Sequence, residues 1–308
     1  MRCRMVTAMA LGLAARRYLP GNSPGALRMQ MRFVLAGLAE RALVNRMMSA
    51  KDGSALHQIM VERPQLLGAL VWPYQCAAWG VPERLHRIIS HYSAVDELGA
   101  PFRFSIHERL VLARLDSLHE GMMVVLDQPE WFLREGGLAM SLFMGSFRAY
   151  SIAFSLSRAA DGGLTATIGG VQGRSQEDAL DTYRVLTKEL HGLRPRDFLI
   201  ETFRILCRQL GVRYICAVSE SARHQRHPFF QGAVPVSHNY DAIWEDRGGM
   251  RAGPNFYALP VTKERRDLSE VKSGKRSMYR RRFDFLDWLE ADIAKCLPGL
   301  RPVRFADS

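Results

Sequence analysis

The stretch from residue 164 to residue 218 constrains the fold of this chain more than any other, because its turn signals and its hydrophobic periodicity agree. Residues 165–171 predict a strand whose glycines let the backbone bulge and lie close to another group. Two helices are predicted next, at residues 176–190 and from Pro195 onward, where apolar residues recur on one helical face. Residues 212–218 form a mostly apolar run, which suits a strand buried on both faces. The stretch therefore predicts a unit of strand, helix, loop, helix and strand.

The loop between the two predicted helices is a candidate anion site. Pro195 can occupy the first turn of the second helix, where its missing N–H costs nothing. The other backbone N–H groups of that turn have no partner within the helix, and two arginines lie beside them. Phosphates and other anions bind at such positive helix starts. We therefore predict that a ligand's phosphates are held by Gly192, Leu193, Arg194 and Arg196.

Four motifs follow one another along the second half of the chain. They are HGLRPRDFLIETFRILCRQLGVRYICAVSE, HNYDAIWEDRGG, FYALP and KSGKRSMYRRRFDFLDWLEADI. In this order they resemble the bacterial VirK/YbjX family, and the resemblance covers about residues 55–293. It implies a bacterial factor linked to envelope integrity, to resistance against cationic antimicrobial peptides, or to surface localisation of a virulence protein. Binding alone could fill such a role.

A second resemblance is carried by GLRPRDFLIETFRILCRQLGVRYICAV. This segment resembles the acyl-CoA-binding helix and following strand of the GNAT class of N-acetyltransferases, in which a glycine-rich turn precedes the helix. Residues 191–196 replace the usual turn of that class, and an additional helix is predicted before it. The resemblance implies a GNAT-like core that transfers an acyl or aminoacyl group to an amine. The donor substrate would be an acyl-CoA or an aminoacyl-tRNA.

The whole chain predicts an α+β (mixed α/β) fold. Residues 1–118 are predicted as a helical N-terminal region, whose last helix covers residues 105–118. An acyltransferase-like α/β domain with a basic C-terminal helix follows at residues 119–293, and residues 294–308 form a tail. Before the central unit, apolar runs of strand length are found at residues 122–126, 138–144 and 150–156.

The segment after residue 218 contains the candidate catalytic residues. Ligands of open α/β sheets tend to bind where central strands end, and Glu220 lies there. Glu220, His238 and Asp241 are therefore candidates to take the proton of the acceptor amine. The alternatives are structural, since Glu220 can be a solvated loop carboxylate. Asn239 or Asp241 can cap the helix that carries Trp244.

The charge of the chain favours an anionic partner. It contains 42 Lys and Arg against 31 Asp and Glu, a net charge of +11. Nucleotides, tRNA and anionic lipid all fit this charge. A basic helix near the C-terminus is a candidate anion-binding or partner-binding surface, with a solvated helix as the alternative, and its cations are Lys272, Lys275, Arg276, Arg280, Arg281 and Arg282. Nucleic-acid binding ranks last among these hypotheses, because no recognisable module is present.

The first 50 residues predict helices with one apolar face and several arginines. Such a region forms a helical hairpin packed on the rest, or a helix at a membrane surface. The N-terminus resembles a signal peptide only in part, since Arg16 and Arg17 follow its apolar run at once. The five cysteines are widely spaced without a C-x-x-C pair, so neither zinc nor a disulfide framework is indicated. We therefore expect a cytoplasmic protein without a metal.

Overall fold

The computed structural model describes residues 7–174, 179–230, 239–262 and 265–304. The helices of these residues are α1 Ala8–Tyr18, α2 Pro24–Ala39, α3 Arg41–Met48, α4 Ala55–Glu62, α5 Val81–Leu98, α6 Ala179–Glu189, α7 Pro195–Gln209, α8 Tyr240–Asp246 and α9 Ser273–Cys296. The strands are β1 Glu108–Arg114, β2 Met122–Asp127, β3 Leu138–Met144, β4 Phe147–Arg158, β5 Leu164–Gly173, β6 Val212–Val218, β7 Met250–Arg251, β8 Phe256–Leu259 and β9 Val303–Arg304. This arrangement confirms the predicted α+β fold.

Among the described residues, all the strands belong to one sheet in the order β7-β8-β6-β5-β4-β3-β2-β1-β9. Neighbours are antiparallel except for β5 and β6, which run parallel. A parallel connection needs a long crossover, and α6 and α7 supply it. The central unit therefore has the predicted order of strand, helix, loop, helix and strand. Gly211 ends α7 with a φ of 67°, which lets the chain turn directly into β6.

Helices cover both faces of the sheet. Phe154 of β4 packs edge-on against Phe203 of α7, with ring centroids 4.8 Å apart. The next residue, Ser155, points to the other face and hydrogen-bonds to the Tyr74 hydroxyl at 2.8 Å. His91 of α5 lies on that second face and accepts a hydrogen bond from the Leu156 backbone N–H. Successive residues of a strand thus bury themselves in two different layers of the core.

Helices α1, α2 and α3 confirm the helical prediction for most of residues 8–48. Thr7 and Ser23 cap α1 and α2 by accepting hydrogen bonds from backbone N–H groups, and Pro24 occupies the first turn of α2. The apolar core is continuous from Leu11 in α1 to Leu297, just after α9.

Two predictions about individual elements are wrong. Residues 105–118 were predicted as a helix, but the structure contains strand β1 there, and β1 pairs with β2. The side chains of Leu110 and Leu112 alternate inward at the two-residue period of a strand. Strand β6 was predicted to be buried on both faces, but Tyr214 is 45% exposed. Tyr214 lines a groove of about 590 Å³ on that face of the sheet.

Candidate functional site

A large groove lies beside the loop between α6 and α7. Its volume is about 1270 Å³, and we call it the basic groove. Tyr150 of β4 and Tyr183 of α6 contribute to its wall. Among the described residues, five cationic side chains and one carboxylate line it, namely Arg184, Lys188, Arg194, Arg196 and Arg281, and Glu189. The structure therefore brings three of the predicted ligand-binding residues, Gly192, Arg194 and Arg196, to one surface.

The loop between α6 and α7 is held in place by α9. His191 and Gly192 both have positive φ, at 53° and 78°, which reverses the chain after α6. The Arg282 guanidinium donates two hydrogen bonds to the His191 carbonyl, at 3.1 and 3.0 Å. A Cβ on Gly192 would lie 2.8 Å from the sulfur of Met278. Leu193 is buried beneath the loop, so its side chain anchors the turn instead of contacting a ligand.

The first turn of α7 faces this groove, as the sequence predicts. Pro195 has no N–H, and the Phe198 N–H already bonds to the Arg194 carbonyl at 2.9 Å. The N–H groups of Arg196 and Asp197 have no acceptor within the helix, and they contribute to the positive charge of its start. Arg196 is oriented by Asp197, whose carboxylate accepts from its Nε at 2.9 Å. Arg194 is exposed and forms no ion pair among the described residues.

The electrostatic field of the groove is positive. Burial lowers the pKa of His191, and the neighbouring Arg281 and Arg282 lower it further. The neutral form of this imidazole is favoured partly because two guanidinium groups already repel a third positive charge. The same field attracts phosphate groups. The groove can therefore bind a ligand with several negative charges.

Strands β5 and β6 separate above the groove, but α8 fills the gap between them. Their pairing ends at Ile168 and Ala217, while β5 continues to Gly173. The Tyr240 hydroxyl accepts from the Val171 N–H at 2.7 Å and donates to the Val171 carbonyl at 3.1 Å. Trp244 donates from Nε1 to the β6 carbonyl of Val218 at 2.8 Å. Both aromatic side chains are fully buried, so no channel runs between the described strand ends.

Glu220 and Asp241 lie together at this end of the sheet. The Glu220 N–H donates to Asp241 Oδ1 at 2.7 Å, and each carboxylate is also paired with arginine. Arg226 and Arg223 donate to Glu220 at 2.5 and 3.3 Å, and Arg251 donates to Asp241 Oδ2 at 2.9 Å. His238 falls outside the described residues. These contacts position the two carboxylates, and their catalytic role stays a prediction.

Asn239 caps α8, as one alternative of the sequence analysis predicted. Its side-chain oxygen accepts from the Asp241 and Ala242 N–H groups at 3.0 and 3.3 Å. Asp241 is thereby free to bond to Glu220 and Arg251. The cap fixes the orientation of Tyr240 and Trp244 against the strand ends.

A buried polar cluster that the sequence analysis did not identify lies next to these strand ends. The Glu135 carboxylate accepts from Gln172 Nε2 at 2.6 Å and from Gln225 Nε2 at 2.9 Å. His224 Nδ1 lies 3.8 Å from Glu135 Oε1. Burial raises the pKa of Glu135 to about 7, against hydrogen bonds from Gln172 and Gln225 and the charge of Arg223. Burial also lowers the pKa of His224 to about 3.

The cluster contains buried polar atoms without partners. Among the described residues, Glu135 Oε2 and His224 Nδ1 have no hydrogen bond. Native proteins satisfy most buried polar groups, so each exception calls for an explanation, such as strain, a bound water or ion, or a chemical role. A carboxyl group with a pKa near 7 can both accept and release a proton at neutral pH. Glu135 is therefore a stronger acid–base candidate than the carboxylates chosen from the sequence.

Paired glycines make room for this cluster. A Cβ on Gly170 would lie 1.8 Å from Glu135 Oε2, and a Cβ on Gly169 would lie 2.1 Å from the Glu135 carbonyl oxygen. Just before β3, a Cβ on Gly137 would lie 2.0 Å from the His91 ring. The two Gly-Gly pairs, at residues 136–137 and 169–170, were the available sequence signal. They mark where one chain segment lies directly on another.

The cations of the basic C-terminal segment make different contacts. Arg282 supports the loop at His191, and Arg281 lines the basic groove. Arg276 donates to the backbone carbonyls of Val271 and Ser269, which fixes the start of α9. The remaining predicted cations of this surface are exposed, namely Lys272, Lys275 and Arg280. Only part of the predicted anion-binding set therefore lies at one site.

No group of three or more His, Cys, Asp or Glu in the described residues is arranged to hold a metal ion. None of the helices described here combines the length and the apolar character needed to cross a membrane.

Comparison with known proteins places the chain in a family. An Escherichia coli (strain K12) protein described as "Uncharacterized protein YbjX" is 28% identical over 306 residues, which covers 95% of this chain and 90% of the relative. Two Haemophilus influenzae proteins, each described as "Uncharacterized protein", are 31% and 33% identical over 126 and 130 residues, about two fifths of either chain. No solved structure matches. The family described as "Protein of unknown function (DUF535)" matches residues 23–295. The chain therefore belongs to the DUF535 family, the family of YbjX, as its motifs predicted.

Proposed function

We propose that this protein binds a phosphate-bearing donor in the basic groove and transfers an acyl or aminoacyl group from it to an amine. The donor is an acyl-CoA or an aminoacyl-tRNA. The observation that carries the proposal is the convergence of five cationic side chains and the start of α7 on a groove of about 1270 Å³. Charge-assisted hydrogen bonds from arginine to phosphate are among the stronger contacts that a protein surface offers.

The groove residues have separate roles in this proposal. Arg194, Lys188 and Arg281 hold the donor phosphates, and Arg196 is oriented toward the groove by Asp197. In the transfer step the amine nitrogen forms a bond to the acyl carbon, and the bond from that carbon to the thiol sulfur or ribose oxygen breaks. The leaving group departs with a proton, and the amine loses one. A carboxylate at the ends of β5 and β6 takes the proton from the amine and passes it to the departing sulfur or oxygen, which returns the carboxylate to its starting state.

Three carboxylates lie in that region: Glu220, Asp241 and Glu135. Glu220 and Asp241 are both engaged in ion pairs with arginines, Arg226 and Arg251. Glu135 has a pKa of about 7, so proton uptake and release are closely balanced at neutral pH. We therefore propose Glu135 as the residue that takes up the proton, with Glu220 and Asp241 positioning α8 and the strand ends. Because Glu135 is buried, this step requires a local opening of the strand ends to admit the amine.

Isothermal calorimetry with coenzyme A and with deacylated tRNA tests the binding step. We expect one of the two to bind, and R194A to weaken its binding about tenfold or more, because a charged hydrogen bond contributes about 1.5–3 kcal/mol. The matched control is R301A, which removes an exposed arginine outside the groove. Failure of both ligands to bind below millimolar concentration removes the transferase proposal.

A second candidate function is binding without transfer, as an accessory factor for envelope integrity, antimicrobial-peptide resistance or surface localisation of a virulence protein. The observation that favours it is the filled gap between β5 and β6, where Tyr240 and Trp244 leave no described opening for a donor. An assay for acyl transfer to amines separates the two candidates. Ligand binding in the groove without any turnover supports the accessory role, whereas turnover that is lost in E135Q supports the transferase.

A further inference from the structure

Helix α2 exposes a stripe of large apolar side chains. Leu27, Met31, Leu35 and Leu38 follow one another at intervals of four, four and three residues, which places them on one side of the helix. Each of these four side chains is between 39% and 60% exposed. A contiguous apolar surface of this kind on a folded chain marks a site of interaction.

The packing of the opposite side of α2 against the core keeps the apolar stripe exposed to solvent. Phe33 is fully buried in the core, and Gly37 lies so close to α1 that a Cβ there would be 2.7 Å from Leu11. The outer surface of α1 is similar, since Met9 and Leu13 are 77% and 62% exposed. Neither helix can rotate its outer apolar side chains inward without exposing the buried ones.

Arginines surround these apolar side chains. Arg28 and Arg32 directly follow Leu27 and Met31, so they lie along one flank of the stripe. Between residues 7 and 50 the single acidic residue is Glu40. The cations of that region are all exposed, and no ion pair is found for any of them among the described residues: Arg16, Arg17, Arg28, Arg32, Arg41 and Arg46.

We propose that α1 and α2 dock on the surface of an anionic lipid bilayer. The apolar stripe enters the headgroup region and the arginines contact lipid phosphates, the arrangement by which amphipathic helices lie in a membrane interface. The uncompensated positive charge selects this occupant over a second copy of the chain, because a symmetric contact through the stripe would bring two sets of arginines together. The surface is independent of the ligand in the basic groove.

Co-sedimentation of the full chain with lipid vesicles tests this proposal. One set of vesicles contains phosphatidylcholine alone, and the other contains phosphatidylcholine and phosphatidylglycerol in a two-to-one ratio. We expect binding to the anionic vesicles only, weakened by added salt. R28Q/R32Q should lower the partition coefficient about 25-fold, because each basic residue near an anionic surface changes it about fivefold. M31S/L35S should abolish binding.

Matched variants elsewhere on the surface test whether vesicle binding depends on α2 or only on the overall charge and exposed apolar area of the protein. R301Q/R304Q removes two exposed cations after α9, and M250S removes an exposed apolar side chain from β7. Both should bind vesicles as the unmodified chain does, and circular dichroism checks that every variant is folded. The proposal is overturned if the unmodified chain does not bind anionic vesicles. It is also overturned if R28Q/R32Q and M31S/L35S both bind them as strongly as the unmodified chain does. A dimer in solution that M31S/L35S dissociates also overturns it, by assigning the stripe to self-association.

Discussion

Glu135 brings together residues that are far apart in the sequence. Its carboxylate contacts side chains 37 and 90 positions away, Gln172 and Gln225, and these contacts depend on the tertiary fold. No local pattern around Glu135 could therefore predict its burial or its pKa. The Asn239 cap was predictable, because a cap bonds to the N–H groups two and three residues ahead. The position of Arg194 beside the groove was predictable for a similar reason, since Arg194 directly precedes the start of α7 in the sequence.

The raised pKa of Glu135 predicts a specific pH dependence of stability. Between about pH 4.5 and pH 7 the carboxyl is protonated in the folded chain and ionised in the unfolded chain, so the free energy of unfolding falls as the pH rises. His224 has the opposite effect. Because burial lowers the pKa of His224 from 6.5 to about 3, the free energy of unfolding rises with pH between these two values. E135Q removes only the first effect. The free energy of unfolding of E135Q, relative to that of the unmodified chain, should therefore increase by up to about 3 kcal/mol from pH 4.5 to pH 7.5.

Urea unfolding of both proteins at several pH values across that window measures this difference. The control is E120Q, which replaces an exposed carboxylate and should follow the unmodified chain at every pH. A constant difference between E135Q and the unmodified chain from pH 4.5 to pH 7.5 would show that Glu135 titrates as an ordinary surface carboxyl.

At the scale of elements, the central unit was predicted well because its signals are local. Pro195 and Gly211 mark where α7 begins and where it is capped, and β6 covers the predicted residues 212–218. Strand β1 was predicted wrongly because a seven-residue segment is too short to separate a helical from a strand period with certainty. One of its partners, β2, follows it directly, whereas the other, β9 at Val303–Arg304, is distant in the sequence. The sequence also could not predict that the gap between β5 and β6 is filled, since Tyr240 enters it from a separate helix.

Close packing of β5 on the Glu135 loop predicts that Gly169 cannot accept a side chain. G169A places a Cβ 2.1 Å from the Glu135 carbonyl oxygen, so either the loop or the strand must move. We expect a loss of about 1–3 kcal/mol in the free energy of unfolding, the usual cost of overpacking. Thermal unfolding measures it against G274A, where a Cβ meets nothing within 4 Å in the first turn of α9. Equal midpoints for the two variants would contradict the packing described here.

At the scale of the molecule, two of the positively charged surfaces differ in their surroundings. The basic groove joins cations to the start of α7 in a concave site. The arginines of the first 50 residues instead flank exposed apolar side chains on α1 and α2. The sequence showed the total of +11 and the amphipathic pattern of the first helices. It could not show that the apolar stripe of α2 points to solvent, because an amphipathic helix packed inward has the same periodicity.

The stability of the fold should be unevenly distributed, with α1 as its weakest element. Leu11 and Ala15 are the only buried side chains of α1, and the helix packs mainly against α2. Strand β4, in contrast, lies between β3 and β5 with helices on both faces. Hydrogen exchange should therefore be at least ~100-fold faster in peptides from α1 than in peptides from β4, because local opening of α1 exposes little apolar surface. Equal protection of the two elements would mean that α1 unfolds only with the whole chain, and anionic vesicles should slow exchange in α1 and α2 while leaving β4 unchanged.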